Sequence, residues 1–181
     1  MGGNDIRVIK DGTGTLTLAG SNSYQGTTTI TQGRLQMGAS NVLPNSSNVV
    51  LAGGTLATGG NSDTVGTLAV SASSVMDMGL GASQLTFASI SSWTAPLQVW
   101  NWTGTIDTAG GTDRLLFAST ATGPGPVQFY SNFGTTAIGS GGAFVGNELV
   151  PVPEPGAVFA ALLLLAPVAW RERRSFMRVR G

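Results

Sequence analysis

Apolar and polar positions alternate with period two through much of the first half of the chain. Leu16 and Leu18 share one face of an extended segment, and Thr15 and Thr17 share the other. In the same way Leu35 and Met37 oppose Arg34 and Gln36, Leu68 and Val70 oppose Thr67 and Ala69, and Leu85 and Phe87 oppose Thr86 and Ala88. Successive strand side chains point to opposite faces, so the pattern predicts short strands buried on one side. Turn signals close them at Asp11-Gly12, Ala19-Gly20, Gly53-Gly54, Gly59-Gly60-Asn61 and Gly110-Gly111. A small template (Gly, polar, Leu, small or polar) recurs from Gly14, Gly33, Gly54 and Gly66. Its first two intervals are nearly equal, and the third is little more than half as long. Short strands joined by glycine turns build a sandwich, a barrel or a parallel β-helix. The loose recurrence favours the β-helix, in which coils stack and Leu, Val and Ile form internal ladders. Thr and Ser suit its solvated outer face.

The pattern weakens after about residue 92. Ser91–Thr105 holds Trp93, Trp100 and Trp102 close together, with Leu97 and Val99 between them, and reads as one strand apolar on both faces. The expectation is a β-rich capping region, 93–148, over the open end of a repeat region, 1–92. Leu115-Leu116-Phe117 and Val127-Gln128-Phe129-Tyr130 would be further cap strands.

One stretch carries a specific resemblance. Lys10 to Met37 keeps a glycine frame (Gly12, Gly14, Gly20, Gly26, Gly33) together with Asn22, Tyr24, Thr28, Ile30 and Leu35. In this it resembles the autotransporter-associated β-strand repeat. The resemblance implies a right-handed parallel β-helix in a large secreted or surface-displayed bacterial protein, and it implies no catalytic residue.

The tail, 149–181, differs in kind. Val152-Pro153-Glu154-Pro155 precedes an uncharged apolar run, 156–170, and a basic end, 171–180, holding Arg171, Arg173 and Arg174. A helix over that run would span about 22 Å, short of a hydrocarbon core of roughly 30 Å, so Trp170 and a snorkelling Arg171 would extend the span. The positive-inside rule puts the arginines in the cytoplasm and the β body outside. A buried core helix and a plain stop-transfer anchor are the alternatives. Pro-Glu-Pro, a short apolar helix and an arginine-rich terminus together resemble the PEP-CTERM sorting signal. That resemblance implies recognition and cleavage near the motif by an exosortase, with Val152, Pro153, Glu154 and Pro155 as substrate residues. It also implies contact of 156–170 with inner-membrane lipid. Met1–Asp5 has no basic-plus-apolar leader, which is read as a truncated gene model or the end of a longer protein, the alternative being a tail helix that serves as the insertion signal.

Composition narrows the chemistry. The chain has 181 residues, of which 27 are Gly, with no Cys and no His. That leaves no disulfide, thiol nucleophile, imidazole base, or thiolate or imidazole metal site. The net charge of zero splits into a weakly acidic body and a basic tail, which argues against nucleic-acid binding. Asp11, Asp63 and Asp113 read as turn residues. Asp107 and Asp113, flanking Gly110-Gly111, would hold Ca²⁺ only if close in space, against the plainer reading of a loop. Asp77 would face solvent if Met76 and Met78 point inward. No catalytic, cofactor or metal site is expected. The expected function is an exported surface or matrix structural protein, membrane-anchored during export, with a β-helix scaffold or adhesin. A carbohydrate-binding module using Trp93, Trp100, Trp102 and Tyr130, with extracellular polysaccharide as partner, is the rival, and exposed tryptophans would favour it. A polysaccharide-active enzyme is third and would need converging carboxylates.

Overall fold

The computed structural model describes residues 6–120 and 122–153. Strands wind as successive coils. The first coil holds β1 (Val8–Lys10) and β2 (Thr15–Leu18). The second holds β3 (Thr28–Ile30) and β4 (Arg34–Met37). The third holds β5 (Val49–Ala52), β6 (Thr55–Ala57) and β7 (Asp63–Val65), and the fourth β8 (Leu68–Ala72), β9 (Ser74–Asp77) and β10 (Gln84–Phe87). β11 (Ile90–Trp93), β12 (Leu97–Trp100) and β13 (Arg114–Phe117) follow. β14 (Val127–Ser131), β15 (Thr136–Ser140), β16 (Gly142–Val145) and β17 (Glu148–Pro151) end the described chain. Among the described residues there is no helix, and so none long and apolar enough to cross a membrane. The expected helix 156–170 lies outside the described residues.

Three sheets run along the stack. The first is β1-β3-β5-β8-β11, all parallel. Val8 pairs with Thr28, Thr28 with Val49, Val49 with Leu68 and Leu68 with Ile90, so each coil takes up nearly the same length of chain. These make about four turns of a parallel β-solenoid. The second sheet runs β2-β4-β6-β9-β12-β14 in parallel and ends on antiparallel β15. The third begins at β7, continues in parallel through β10 and β13, and ends on antiparallel β17 and β16. Parallel pairing therefore crosses residue 92 without a break, and antiparallel strands start at β15. Ser91–Thr105 is not one strand but two with a loop, because Thr94–Pro96 turns the chain from the first sheet to the second.

The short last step in the glycine template has a plain cause. Gly14, Gly33 and Gly54 all precede strands of the second sheet, whereas Gly66 precedes β8 of the first. The second-sheet rung of that coil is β9, whose Ser74 and Val75 lack the template.

Alternation sends every second side chain of a rung inward. On the second sheet Leu16, Leu35, Leu56, Met76, Val99 and Phe129 are register partners in succession. All but Leu16 are fully buried. On the third sheet Phe87 stacks on Phe117, centroids 5.4 Å apart, and Phe117 meets Phe144 edge-on. Phe144 rides on β16, so the antiparallel strands close the end of the core, with Leu149 and Val150 buried beneath them.

Candidate functional site

The polar residues of the Lys10–Met37 motif join one coil to the next. Lys10 is almost fully buried, and its Nζ donates to the carbonyls of Asp11 (3.0 Å), Gly12 (2.6 Å) and Gln32 (3.1 Å). The last belongs to the following coil. Asn22 Nδ2 donates to Gly20 O at 3.1 Å and to Val42 O, one coil on, at 2.7 Å. Tyr24 Oη, Thr28 Oγ1 and Ser47 Oγ form a chain of 2.7 and 2.9 Å links, and Ser47 closes it on Gly26 O at 2.8 Å. Turns whose carbonyls face the stack would otherwise leave buried acceptors without donors, at a cost of about 1–3 kcal/mol each. The motif is a stacking code. Burial pushes the Tyr24 phenol above its ordinary range.

The carboxylates serve the same task. Asp63 opens β7 and is buried, its Oδ2 accepting from Val42 N (3.0 Å) and Leu43 N (2.9 Å) and its Oδ1 from Thr64 N (2.8 Å). Asp113, also buried, accepts from Ser83 N, Thr103 N and the Thr103 hydroxyl. Burial raises the pKa of both, partly offset by these hydrogen bonds. Asp77 faces outward on β9 but is not solvated, at 1% exposure. Arg34, two rungs away, lies over it at 2.8 Å, and Asn101 Nδ2 and Gly79 N hold Oδ1. The inward methionine at 76 does set its direction, and a neighbouring cation covers it. Glu148 is buried on β17, its Oε2 2.9 Å from Arg114 Nε and 3.0 Å from Gly110 N. Asp107 is exposed with φ 55°, while Asp113 is turned into the fold. No cluster of three or more acidic residues able to hold a metal ion occurs among the described residues.

The aromatic residues divide. Trp93 and Trp102 are buried, Trp102 edge-on to Phe129 at 5.0 Å, and neither indole N–H finds a partner among the described residues. A four-ring platform is therefore not formed. Trp100 and Tyr130 point outward and are half-buried. Two glutamines hold them: Trp100 Nε1 donates to Gln98 Oε1 at 2.9 Å, and the Tyr130 hydroxyl donates to Gln128 Oε1 at 2.6 Å. Phe133, in the turn after β14, is 58% exposed. Sequence reasoning singled out neither glutamine nor Phe133. The matched Gln-x-Trp and Gln-x-Tyr spacing was the signal, since residues two apart share a strand face.

Of the tail motif, Val152 and Pro153 follow β17 and are half-buried, with Val152 N donating to Gly141 O at 3.4 Å. Glu154, Pro155, Arg171, Arg173 and Arg174 lie outside the described residues.

A family model, the passenger-associated-transport-repeat, matches residues 8–37. That span is β1 to β4, the first two coils, and it contains the stretch resembling the autotransporter-associated β-strand repeat. No curated protein and no solved structure matches the chain.

Proposed function

We propose that the chain is an exported, surface-displayed or matrix structural protein whose solenoid serves as a scaffold or adhesin. The observation that carries this reading is the fate of the repeat motif. Lys10, Asn22, Tyr24 and Thr28, the polar side chains that would be available for chemistry, are instead bonded across coils or along the stack. A fold made of such units lengthens by adding coils, each contacting only its neighbours. That suits a spacer holding a surface away from a membrane. Right-handed winding is part of the proposal, resting on the strong preference of parallel crossovers for that hand. Asp63, Asp77 and Asp113, buried with both oxygens engaged, support a non-enzymatic role.

Sorting belongs to the proposal as well. Val152-Pro153-Glu154-Pro155, the apolar run 156–170 and the arginines at 171, 173 and 174 read as an exosortase-recognised tail, anchored in the inner membrane with a cytoplasmic C-terminus before processing. The test is intact mass of the protein, fused to a working signal peptide and recovered from cells with and without an exosortase. Loss of the segment that follows the motif, only when the enzyme is present, supports the sorting reading. A full-length, membrane-retained product in both strains reduces the tail to a plain anchor. A full-length soluble product in both removes the anchor too.

A further inference from the structure

We propose that the outer face of the second sheet, over β12 and β14, binds an uncharged, hydroxyl-rich glycan chain. The two strands pair in parallel with Gln98 opposite Gln128 and Val99 opposite Phe129. Leu97, Val99, Val127 and Phe129 point inward and are buried, while Gln98, Trp100, Gln128 and Tyr130 point outward. Neighbouring strands about 4.8 Å apart therefore present the same unit, an amide two positions ahead of an aromatic ring.

Each unit is clamped. An indole N–H can only donate, so Gln98 turns its amide oxygen to Trp100 and its NH₂ away from the ring. Gln128 does the same against Tyr130. Among the described residues neither NH₂ has a protein acceptor, so four N–H bonds are available beside two rings of fixed tilt. Rings already immobilised lose little rotamer entropy when a ligand arrives.

A third ring lies in the turn that follows β14. Phe133 has φ 53°, in the left-handed region. Its N–H is tied to Asn101 Oδ1 at 2.7 Å. The next residue, Gly134, lies so close to the Trp100 indole that an added Cβ would come within 2.6 Å of Nε1. Phe133 and Gly134 are the central pair of a tight turn closed by Thr135 N donating to Asn132 O at 3.1 Å, and the hairpin from β14 to antiparallel β15 requires positive φ at both. That turn leaves the phenyl 58% exposed, one residue from the glycine that abuts Trp100, and it is the third contact surface assigned to the site. At the other end of the strands a pocket of about 230 Å³ continues the strip, lined by Pro96, Gln98, Pro126, Gln128 and Ser140.

The charge pattern selects the ligand class. No charged side chain lies on the strip or in the pocket. Asp77, paired with Trp100 across β9, is buried and neutralised by Arg34. A polyanion would find no cation there. A pyranose has a C–H face that packs on a ring and a rim of hydroxyls that accept from amide N–H groups. Such a chain fits this alternation, and the proposal does not depend on how the protein is exported or sorted.

The test is affinity electrophoresis and intrinsic tryptophan fluorescence with neutral β-1,4-, β-1,3- and α-1,6-glucans, and with alginate and polygalacturonate as charged controls. Retention by at least one neutral glucan is expected, with a fluorescence change from Trp100 and little salt dependence. Phe133→Ala and Gln128→Ala should each weaken that binding tenfold or more. Ile9→Ala, exposed on β1 in the first coil, should leave it unchanged. Phe133→Ala removes an exposed ring, so its loss of binding cannot be blamed on unfolding if the circular dichroism is native. No retention by any neutral glucan overturns the proposal. So does retention that neither variant weakens, or binding only to the charged polymers.

Discussion

The inward ladder Leu16, Leu35, Leu56, Met76, Val99, Phe129 makes a graded prediction, because its members differ in burial and not in orientation. Leu56 sits mid-stack with zero exposure, and Leu16 at the first rung is 39% exposed. Leu→Ala removes the equivalent of three methylenes. At Leu56 that forfeits about 2.4 kcal/mol of transfer energy. The rungs on either side are held by backbone pairing and cannot collapse onto the gap, so a cavity term adds to it. About 3–4 kcal/mol in total lies inside the usual range for buried leucines. At Leu16 part of the side chain is already in water and any gap opens to solvent, so the same change should cost about 1 kcal/mol or less. Urea unfolding followed by circular dichroism reads the difference. With a slope of about 2 kcal/mol per molar, Leu56→Ala should lower the midpoint by roughly 1.5–2 M and Leu16→Ala by under about 0.5 M. Equal shifts at the two sites would mean that the ladder is not the stabilising core.

Three further outcomes follow from the polar framework. Lys10→Met keeps the length but strips the donor from three carbonyls, and should cost about 1–3 kcal/mol. Amide exchange should speed up in β1 to β4 while β12 and β14 stay protected, as expected where coils contact only their neighbours; a uniform loss of protection would contradict this. Gly33 has φ +68° and would bring a Cβ within 2.5 Å of Gly14 O, whereas Gly12, at φ +75°, faces open space. Alanine at position 33 should therefore cost at least about 2 kcal/mol and at position 12 about 1 kcal/mol, compared by thermal melts. Asp63 and Asp113 have pKa values raised above the ordinary 3.8 by burial. The folded state then holds their protons more tightly than the unfolded one. Their contribution is full below about pH 3.8 and is lost as pH rises through the folded pKa values. The urea midpoint should thus fall between about pH 4 and neutrality by an amount that shrinks in Asp113→Asn; an identical slope in that variant would sink the assignment.

Much of the strand layout was legible because a strand's period of two is local. Thr15–Leu18, Arg34–Met37, Leu68–Val70 and Leu85–Phe87 were each readable from alternation alone, and all are strands buried on the expected side except at the first, exposed rung. The site was far less legible. Gln98 and Gln128 belong to successive coils, and nothing local says that they share a face of adjacent strands. Trp93 and Trp102 look like Trp100 in sequence, yet strand β11 and the loop after β12 turn them into the core. Asp77 alternates outward as expected, but its solvation depended on Arg34, which lies two coils earlier.

The sequence by itself determined the all-β character of the described body, the coil-length recurrence, the repeat motif in the first two coils and the absence of thiol and imidazole side chains, since these rest on periodicity and composition. Only the tertiary structure decided which sheet each strand joins, which rings reach solvent, which carboxylates are neutralised and where parallel stacking gives way to antiparallel closure. Those outcomes depend on register between residues a whole coil apart, and register is set by the packing of whole coils rather than by any segment's own preference.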